Sequence, residues 1–532
     1  MTQEMFRLAD TTVVEPLVNR WAVWSDLISP VPASLHLVNY QMKILESYLA
    51  DPDVHVKASQ NPKFYGGRFV DVPAARAAEV GELLKGIKDS QRESLDLAAA
   101  VIDFANHLDR EAEGQSLEPF YEQLPDALRG YVELVYDYFN NPILRPIESL
   151  LYESPYYKKD LQCLSIFNQE SDNSRPFFLN TPRLADDRHV DWNVSFADPV
   201  VDQLFDLDLH AQPLGHVREL LNSHAPEESQ LRQLLTTAPI NQTARWTEPA
   251  MRLRYFGHAC VLIECNGISI LTDPWIGVQS AIGGAEHFSY SDLPEKIDFA
   301  LITHSHHDHF VLETLLRLRR RIECLVVPHT SSMFYADVSL KLLAKKLGFK
   351  SVVDVEALDS IPFPGGEIIA VPFLGEHADL AHGKMGYVVR GGKDQVLFAA
   401  DSNCLDANLY RHLKRVLGPI KTVFLGMECV GAPLSWMYGT FLPSKPQRSH
   451  DQSRRTKGCD AAAALNLLEA LESDRVYVYA MGKEPWLQYS MGLGLSDDSP
   501  QIKESVSLIT QARERGFASA SRPFCKFETC LE

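Results

Sequence analysis

Residues 299–309 read Phe-Ala-Leu-Ile-Thr-His-Ser-His-His-Asp-His, an apolar run that ends in four histidines and one aspartate within six residues. Imidazoles that close would repel one another if protonated and would cost desolvation if buried without partners; a bound dication removes both objections. His304 and His306, two apart at a strand end, can point to the same side, while Asp308 and His309 lie beyond a bend and can reach a second position. The HxHxDH spacing therefore predicts a dinuclear metal centre. A purely structural histidine cluster is the weaker reading, because nothing else in the segment would neutralise it.

The flanking segments extend the prediction. Gly257-His258-Ala259 before a strand, then Ile270-Leu271-Thr272-Asp273, resembles the opening hairpin of the metallo-β-lactamase fold. In that fold the aspartate ending this strand supports the histidine loop, so Asp273 is expected beside the ligands rather than among them. Phe398-Ala399-Ala400-Asp401 is a second apolar strand delivering a carboxylate, and Asp401 matches the aspartate that bridges the two metals in the fold. Two departures bear on the chemistry. Where hydrolases of this fold usually place a third histidine, the chain reads Gly375-Glu376-His377, and either Glu376 or His377 could ligate. Where they supply a last histidine, the strand Val476–Ala480 runs into Met481-Gly482-Lys483. A mixed imidazole and carboxylate site with open positions suits non-haem iron and oxygen chemistry, although ligand type alone leaves zinc open.

The elements that must position these residues are legible in outline. The 532 residues are read as two domains, 1–247 and 248–532, divided where Pro226, Pro239 and Pro249 break periodicity. After the break, short strands are predicted at Arg252–Phe256, Cys260–Glu264 and Ile268–Thr272, the last two joined by an Asn266-Gly267 turn. Further strands near 298–303, 322–327, 367–373, 386–390, 395–400, 421–426 and 475–480 complete an α/β αββα sandwich. Before it, helical stripes at Leu95–Leu108 and Leu128–Phe139 indicate a mixed, helix-rich α+β domain. Aromatic residues from Tyr156 to Phe196 in an aperiodic stretch read equally as a binding loop or as irregular core. The segment 426–457, with Glu428, Trp436, Tyr438 and a turn at 442–446, is expected to shape the pocket. Glu428 would recognise an amino group there, and Tyr438 would contact substrate.

Composition excludes other classes. With 45% hydrophobic and 23% charged residues, the chain can bury sizeable cores. A net charge of −19 disfavours nucleic acid and anionic membranes. The main local exception is the run Arg317, Arg319, Arg320 and Arg321, read as cations ending a helix. The opening MTQEMFRLAD has neither a basic n-region nor an apolar h-region, no apolar stretch approaches membrane-spanning length, and nine cysteines form no CxxC pair; a cytoplasmic location with reduced thiols is expected. Gly492-Leu493-Gly494 lacks the third glycine of a nucleotide fingerprint, so no bound flavin or nicotinamide is indicated.

With THSHHDH at 303–309, Gly375-Glu376-His377, Asp401 and a large preceding domain, the chain closely resembles the CmlA-type diiron β-hydroxylases of chloramphenicol biosynthesis. In that family a glutamate replaces the third histidine. The resemblance thus selects Glu376, leaves His377 in the second layer, and gives metal ligands His304, His306, Asp308, His309, Glu376 and Asp401. It implies two iron ions, O2 as cosubstrate, an external reductant and a homodimer. The implied substrate is an amino acid held as a thioester on a nonribosomal peptide synthetase carrier domain and hydroxylated at its β-carbon. The alternative is a zinc hydrolase of a thioester, lactone or phosphoester, in which His377 would ligate.

Overall fold

The computed structural model describes all residues except 1–3, 173, 241–242, 332, 443, 493 and 532. Pro443 of the expected 442–446 turn and Leu493 of the glycine pair therefore lie outside the described residues.

Alternating apolar residues in the second half build two seven-stranded sheets. The first runs in the order Val352–Val355, Ile322–Pro328, Ile297–Leu301, Ile268–Thr272, Cys260–Cys265, Met251–Gly257 and Phe527–Leu531. The second runs Ser360–Phe363, Gly366–Val371, Gly386–Gly391, Asp394–Phe398, Thr422–Gly426, Arg475–Tyr479 and Ser519–Ser521. Their inner faces meet through Tyr255, Val261, Ile263, Ile368, Tyr387 and Phe398, all buried, where each large side chain contributes about 1.5–3 kcal/mol of transfer free energy. Helices Ala407–Leu417, Ala461–Leu471 and Pro500–Glu514 cover the outer face of the second sheet. The neighbouring strands Ile268–Thr272 and Ile297–Leu301 are parallel, as are Asp394–Phe398, Thr422–Gly426 and Arg475–Tyr479. Their carboxyl ends therefore open at one rim of the sandwich, where loops in α/β sheets gather side chains.

The first half is an antiparallel sheet, Trp21–Ala22, Thr12–Val18, Gln162–Asn168 and Val190–Asn193, with helices Met42–Ala50, Ala77–Ser90 and Arg92–Glu111. The stripe predicted as a helix over 128–139 is instead a hairpin of Val132–Tyr136 and Pro142–Pro146. Val132, Val135 and Tyr136 suit a pleated strand, and Gly130 at φ +76° interrupts any helix from Leu128. Of the aromatic stretch, Tyr157, Phe167, Phe178, Trp192 and Phe196 are buried, so it is chiefly core.

The two halves share one continuous apolar cluster, in which Val14, Leu164 and Phe196 pack with Leu312, Leu315 and Leu325. The arginine run does not simply close its helix. Arg317 pairs with Asp208 at 2.7 Å and donates to Thr12 O at 2.9 Å, and Arg319 pairs with Asp202 at 2.6 Å. The same seam holds Arg175 between Glu15 at 2.6 Å and Glu313 at 2.7 Å. The run is a clamp from the second half onto the first, which no local sequence rule encodes. Among the described residues no helix is long and apolar enough to cross a membrane.

Two predictions follow from this seam. Breaking the buried pair with Arg317→Met is expected to lower stability by about 3 kcal/mol, because Asp208 is left unpaired. Arg320→Ala, whose side chain is 57% exposed, should change it by less than about 0.5 kcal/mol, and both are read from denaturation midpoints. Burial raises Asp26 to about 8 and Glu148 to about 7, with Asp337 adding to both shifts. The folded state thus keeps protons that the unfolded chain releases above about pH 4, so stability falls as pH rises from about 4 to about 8. Asp26→Asn should flatten that decline in midpoints measured across the range.

Candidate metal centre

The rim loops are built from strained turns. His258, Asp273, Glu376, Ala400 and Ala480 all have positive φ, between 31° and 71°. Each costs on the order of 1–2 kcal/mol for a residue with a Cβ, and each turns the chain sharply just past a strand to bring a side chain to the rim.

Asp273 is fully buried beneath the histidine loop. It accepts the Thr303 amide at 2.7 Å, the Thr303 hydroxyl at 2.7 Å and the His309 Nδ1–H at 2.8 Å. The Thr303 hydroxyl in turn accepts the His304 Nδ1–H at 2.9 Å. Both imidazoles are left with Nε2 lone pairs facing the centre, the arrangement that fixes tautomer and ring orientation for metal ligation.

Ligand atoms gather in three overlapping triplets: His304, His306 and Glu376; His304, His309 and Asp401; His258, Asp308 and His309. His306 Nδ1 lies 3.0 Å from Glu376 Oε1 and 3.1 Å from His304 Nε2. His309 Nε2 lies 3.0 Å from Asp401 Oδ2, while His258 Nε2 is 3.2 Å from Asp308 Oδ2 and 3.4 Å from His309 Nε2. Asp401 thus stands between two positions, one edged by His304, His306 and Glu376 and the other by His258, Asp308 and His309.

The donor set fits two dications. Glu376 Oε2 and Asp401 Oδ1 are buried without a hydrogen-bond partner, a costly state for carboxylate oxygens unless a cation meets them. Burial and the neighbouring imidazoles His309 and His306 push His304 well below its ordinary pKa, so it is neutral and ready to ligate. For His309 burial acts downward too, but Asp401, Asp308 and Asp273 overcome it and hold the ring well above the ordinary value. Those carboxylates demand a positive charge at this point, which a metal would supply in the proton's place.

Residues 7–239 match the model of the diiron non-haem β-hydroxylase N-terminal domain, and residues 252–357 match that of the β-lactamase superfamily domain. The chain is 35% identical over 519 residues to the 4-amino-L-phenylalanyl-[CmlP-peptidyl-carrier-protein] 3-hydroxylase of Streptomyces venezuelae, covering 96% of this chain and 97% of that one. This chain belongs to the diiron non-haem β-hydroxylase family. The crystal structure of CmlA, a diiron β-hydroxylase from the same organism, superposes with a TM-score of 0.92 at 32% identity over all of both chains. A metal-dependent hydrolase of Caldivirga maquilingensis is 27% identical over only 28% of this chain and 59% of its own length. The cofactor of the family is a pair of iron ions.

Within this β-hydroxylase all six ligands expected from the sequence converge, and the geometry adds a seventh candidate, His258. The chain past Tyr479 carries no histidine, but the Ala480 amide bonds His258 O at 3.0 Å, so His258 comes from the opposite sheet to the place that segment leaves. The buried Glu484 accepts the His258 amide at 2.9 Å and also the Tyr255 hydroxyl. The only signal in the sequence was a histidine in the tight Gly257-His258-Ala259 turn. His377 joins none of the triplets. Its ring stacks on His306 with centroids 4.4 Å apart, and neither nitrogen has a partner.

A cavity of about 340 Å³ adjoins the centre, lined by Glu376, Asp401, Glu428, Trp436 and Met481. Glu428 is half-buried, takes the Thr456 hydroxyl at 3.1 Å on Oε1, and leaves Oε2 out of solvent and unpartnered. Burial, with Glu376 and Asp401 alongside, holds its carboxyl well above the ordinary range. Tyr438 differs from the expectation of a pocket-wall residue. Its hydroxyl lies 2.7 Å from His306 Nε2, on the far side of that ring from the centre, so it orients a ligand instead. A hydroxyl that far along the chain from a histidine is invisible until the loop of 426–457 is folded back across a separation of 132 residues.

His258→Ala should lower bound metal from two ions per chain towards one, whereas His377→Ala should retain both, as measured by elemental analysis after reconstitution with Fe²⁺. Tyr438→Phe should keep the metal but weaken its retention against a chelator by about 10-fold or more.

Proposed function

We propose that this protein uses O2 to hydroxylate the β-carbon of an amino acid held as a thioester on the phosphopantetheine arm of a nonribosomal peptide synthetase carrier domain, in natural-product biosynthesis. The observation that carries the reading is similarity along 96% of the chain, N-terminal domain included, to a carrier-protein-bound amino acid 3-hydroxylase. The zinc hydrolase alternative draws on similarity confined to the second half, and His377, its expected third ligand, lies outside the ligand triplets.

His304, His306 and Glu376 would hold one iron, His258, Asp308 and His309 the other, with Asp401 between them. Four imidazoles and three carboxylates nearly neutralise two Fe²⁺ while leaving coordination positions on the cavity side. When bound, the pair supplies the oxygen and redox chemistry, with electrons from an external donor. The chain's own residues provide the geometry. Asp273 and Tyr438 lock the ligand imidazoles, and Glu428 presents Oε2 to the cavity, where a substrate amino group would donate to it. Met427, Met437, Met481, Met491 and Leu495 make the remaining wall apolar and adaptable, which suits an apolar side chain and excludes water from the β-carbon. The unit 1–247 is read as the domain that governs access and pairs two copies in a homodimer, and 248–532 as the metal domain. The protein would work in the cytoplasm, where loaded carriers and reductant are present.

The test is oxygen uptake by iron-reconstituted protein given reductant and an aminoacyl-loaded carrier, with the product mass rising by one oxygen atom. Thioester hydrolysis by a zinc-loaded form, with no oxygen consumed, would replace this reading by the alternative. Glu428→Gln should keep its iron yet lower kcat/KM by about 10-fold or more, since a carboxyl that a substrate amino group's charge would ionise is replaced by an amide that stays neutral.

A further inference from the structure

The chain carries a net charge of −19, yet one patch of its surface is cationic and unpaired. The metal cavity reaches solvent at Tyr65 and Val430, which line it and are 50% and 55% exposed. Two segments flank that opening. From the N-terminal domain come Lys63 and Arg68, on either side of the lining residues Tyr65 and Gly66 in the chain; from the metal domain come Arg455, which lines the cavity, its chain neighbours Arg454 and Lys457, and Arg448, which opens the helix Arg448–Ser453 whose Asp451 holds Ser435. The segments touch: Trp436 Nε1 donates to Gly66 O at 3.0 Å, and Arg68 donates to Ser435 O at 3.2 Å.

None of these six cations is in an ion pair among the described residues, whereas arginines elsewhere are paired at the domain seam, as Arg317 and Arg319 are. Arg454 and Arg455 spend their Nε–H groups on the backbone, at Ala378 O (3.1 Å) and Gly431 O (2.8 Å), which fixes their stems and leaves their charge without a counterion. Arg455 also lines the cavity. The neighbouring acids are otherwise engaged. Asp451 accepts the Ser435 amide at 2.7 Å and hydroxyl at 2.9 Å, and Asp460 caps the helix Ala461–Leu471 through the Ala463 amide at 2.8 Å. Asp379 is exposed beside Ala378 and offsets one charge of the six. An acidic protein would not keep such a ring unneutralised for stability, since exposed cations repel one another and gain nothing from bulk water.

We propose that this ring is the docking surface for the carrier domain, with the phosphodiester that joins the arm to the carrier seated among Arg455, Arg448 and Lys457, and Arg68 closing the N-terminal side. The proposal rests on the carrier-delivered reading above. The chemistry matches along the path: a cationic collar for the phosphodiester at the surface, the neutral arm passing Tyr65 and Val430, and the apolar wall for the aminoacyl end inside. Local positive potential overcomes the long-range repulsion that a −19 protein exerts on an anionic phosphodiester and orients it on approach. Both domains contribute to the collar, so docking reads the assembled chain.

The test uses the iron-loaded full chain and, as probe, the phosphopantetheine-bearing peptidyl carrier domain on which the Streptomyces venezuelae relative acts, with affinity measured by calorimetric titration. Arg448 and Lys457 make no side-chain hydrogen bond among the described residues, so R448E/K457E should fold and hold iron normally. It is expected to weaken carrier binding by about 10-fold or more, and wild-type affinity should fall steeply from about 50 to about 300 mM salt. The double variant K85E/K350E, which changes net charge equally at exposed residues outside the metal cavity, should bind as wild type does. Equal affinity of R448E/K457E and wild type, equal loss in the control, or no binding by wild type would each overturn the docking surface. A pantetheine thioester of the amino acid, lacking both phosphate and carrier, separates this from the chemistry. Oxygen uptake with it at unchanged kcat in R448E/K457E supports a docking role, a lowered kcat there counts against it, and no uptake by any form with either this thioester or the loaded carrier removes the functional reading itself.

Discussion

Everything at the rim of the sandwich hangs on one buried carboxylate. Asp273 lies where the strand Ile268–Thr272 ends, without solvent, and holds the Thr303 amide, the Thr303 hydroxyl and the His309 ring together. Burial drives its carboxyl upward in pKa, and the His309 and Thr303 contacts oppose that rise. Through these contacts Asp273 sets which nitrogen of His304 and His309 carries the proton, and hence which nitrogens face a metal. The positive-φ turns at His258, Glu376 and Ala400 then aim the remaining donors at the same volume. Strain of this kind persists only when surrounding packing over-determines it, and the two apolar sheets provide that packing.

The N-terminal domain is a wall of the site and not an appendage. Ser25 donates to Ser305 O at 2.8 Å inside the histidine motif. His307, the one imidazole of the motif that joins no ligand triplet, packs on Phe178 at 5.1 Å and Trp24 at 6.2 Å. The alternation His304, His306 therefore faces the metals while His307 faces the neighbouring domain. The shared core and the arginine clamp hold this register, so a cavity that needs Tyr65 on one side and Met481 on the other has a fixed width.

Charge is distributed with the same economy. Buried arginines at the seam are neutralised pair by pair, and the surplus negative charge is spread over the surface, which leaves the cations at the cavity mouth as a local feature of the field. A reactive centre in a cavity must admit its substrate and exclude bulk water at once. An entrance lined by Tyr65 and Gly66 from the first half and by Val430 and Arg455 from the second meets both demands, and neither half has that entrance alone.

The sequence by itself determined most strands of the sandwich and the donors of HxHxDH and Asp401, which sit within a few residues of strands whose alternation is plain; it left Glu376 and His377 open, and only the family resemblance selected Glu376. The support role of Asp273 came from the resemblance of its strand end to the opening hairpin of the metallo-β-lactamase fold. Only the tertiary structure decided the rest. His258 reaches the centre from a turn some fifty residues upstream, Tyr438 backs His306 across 132 residues, the stripe at 128–139 is a hairpin, and the arginine run is a clamp. Each of these depends on contacts between residues far apart in the chain. Local periodicity and spacing report which face a residue shows to its own element, and say nothing of which distant element will be packed against that face.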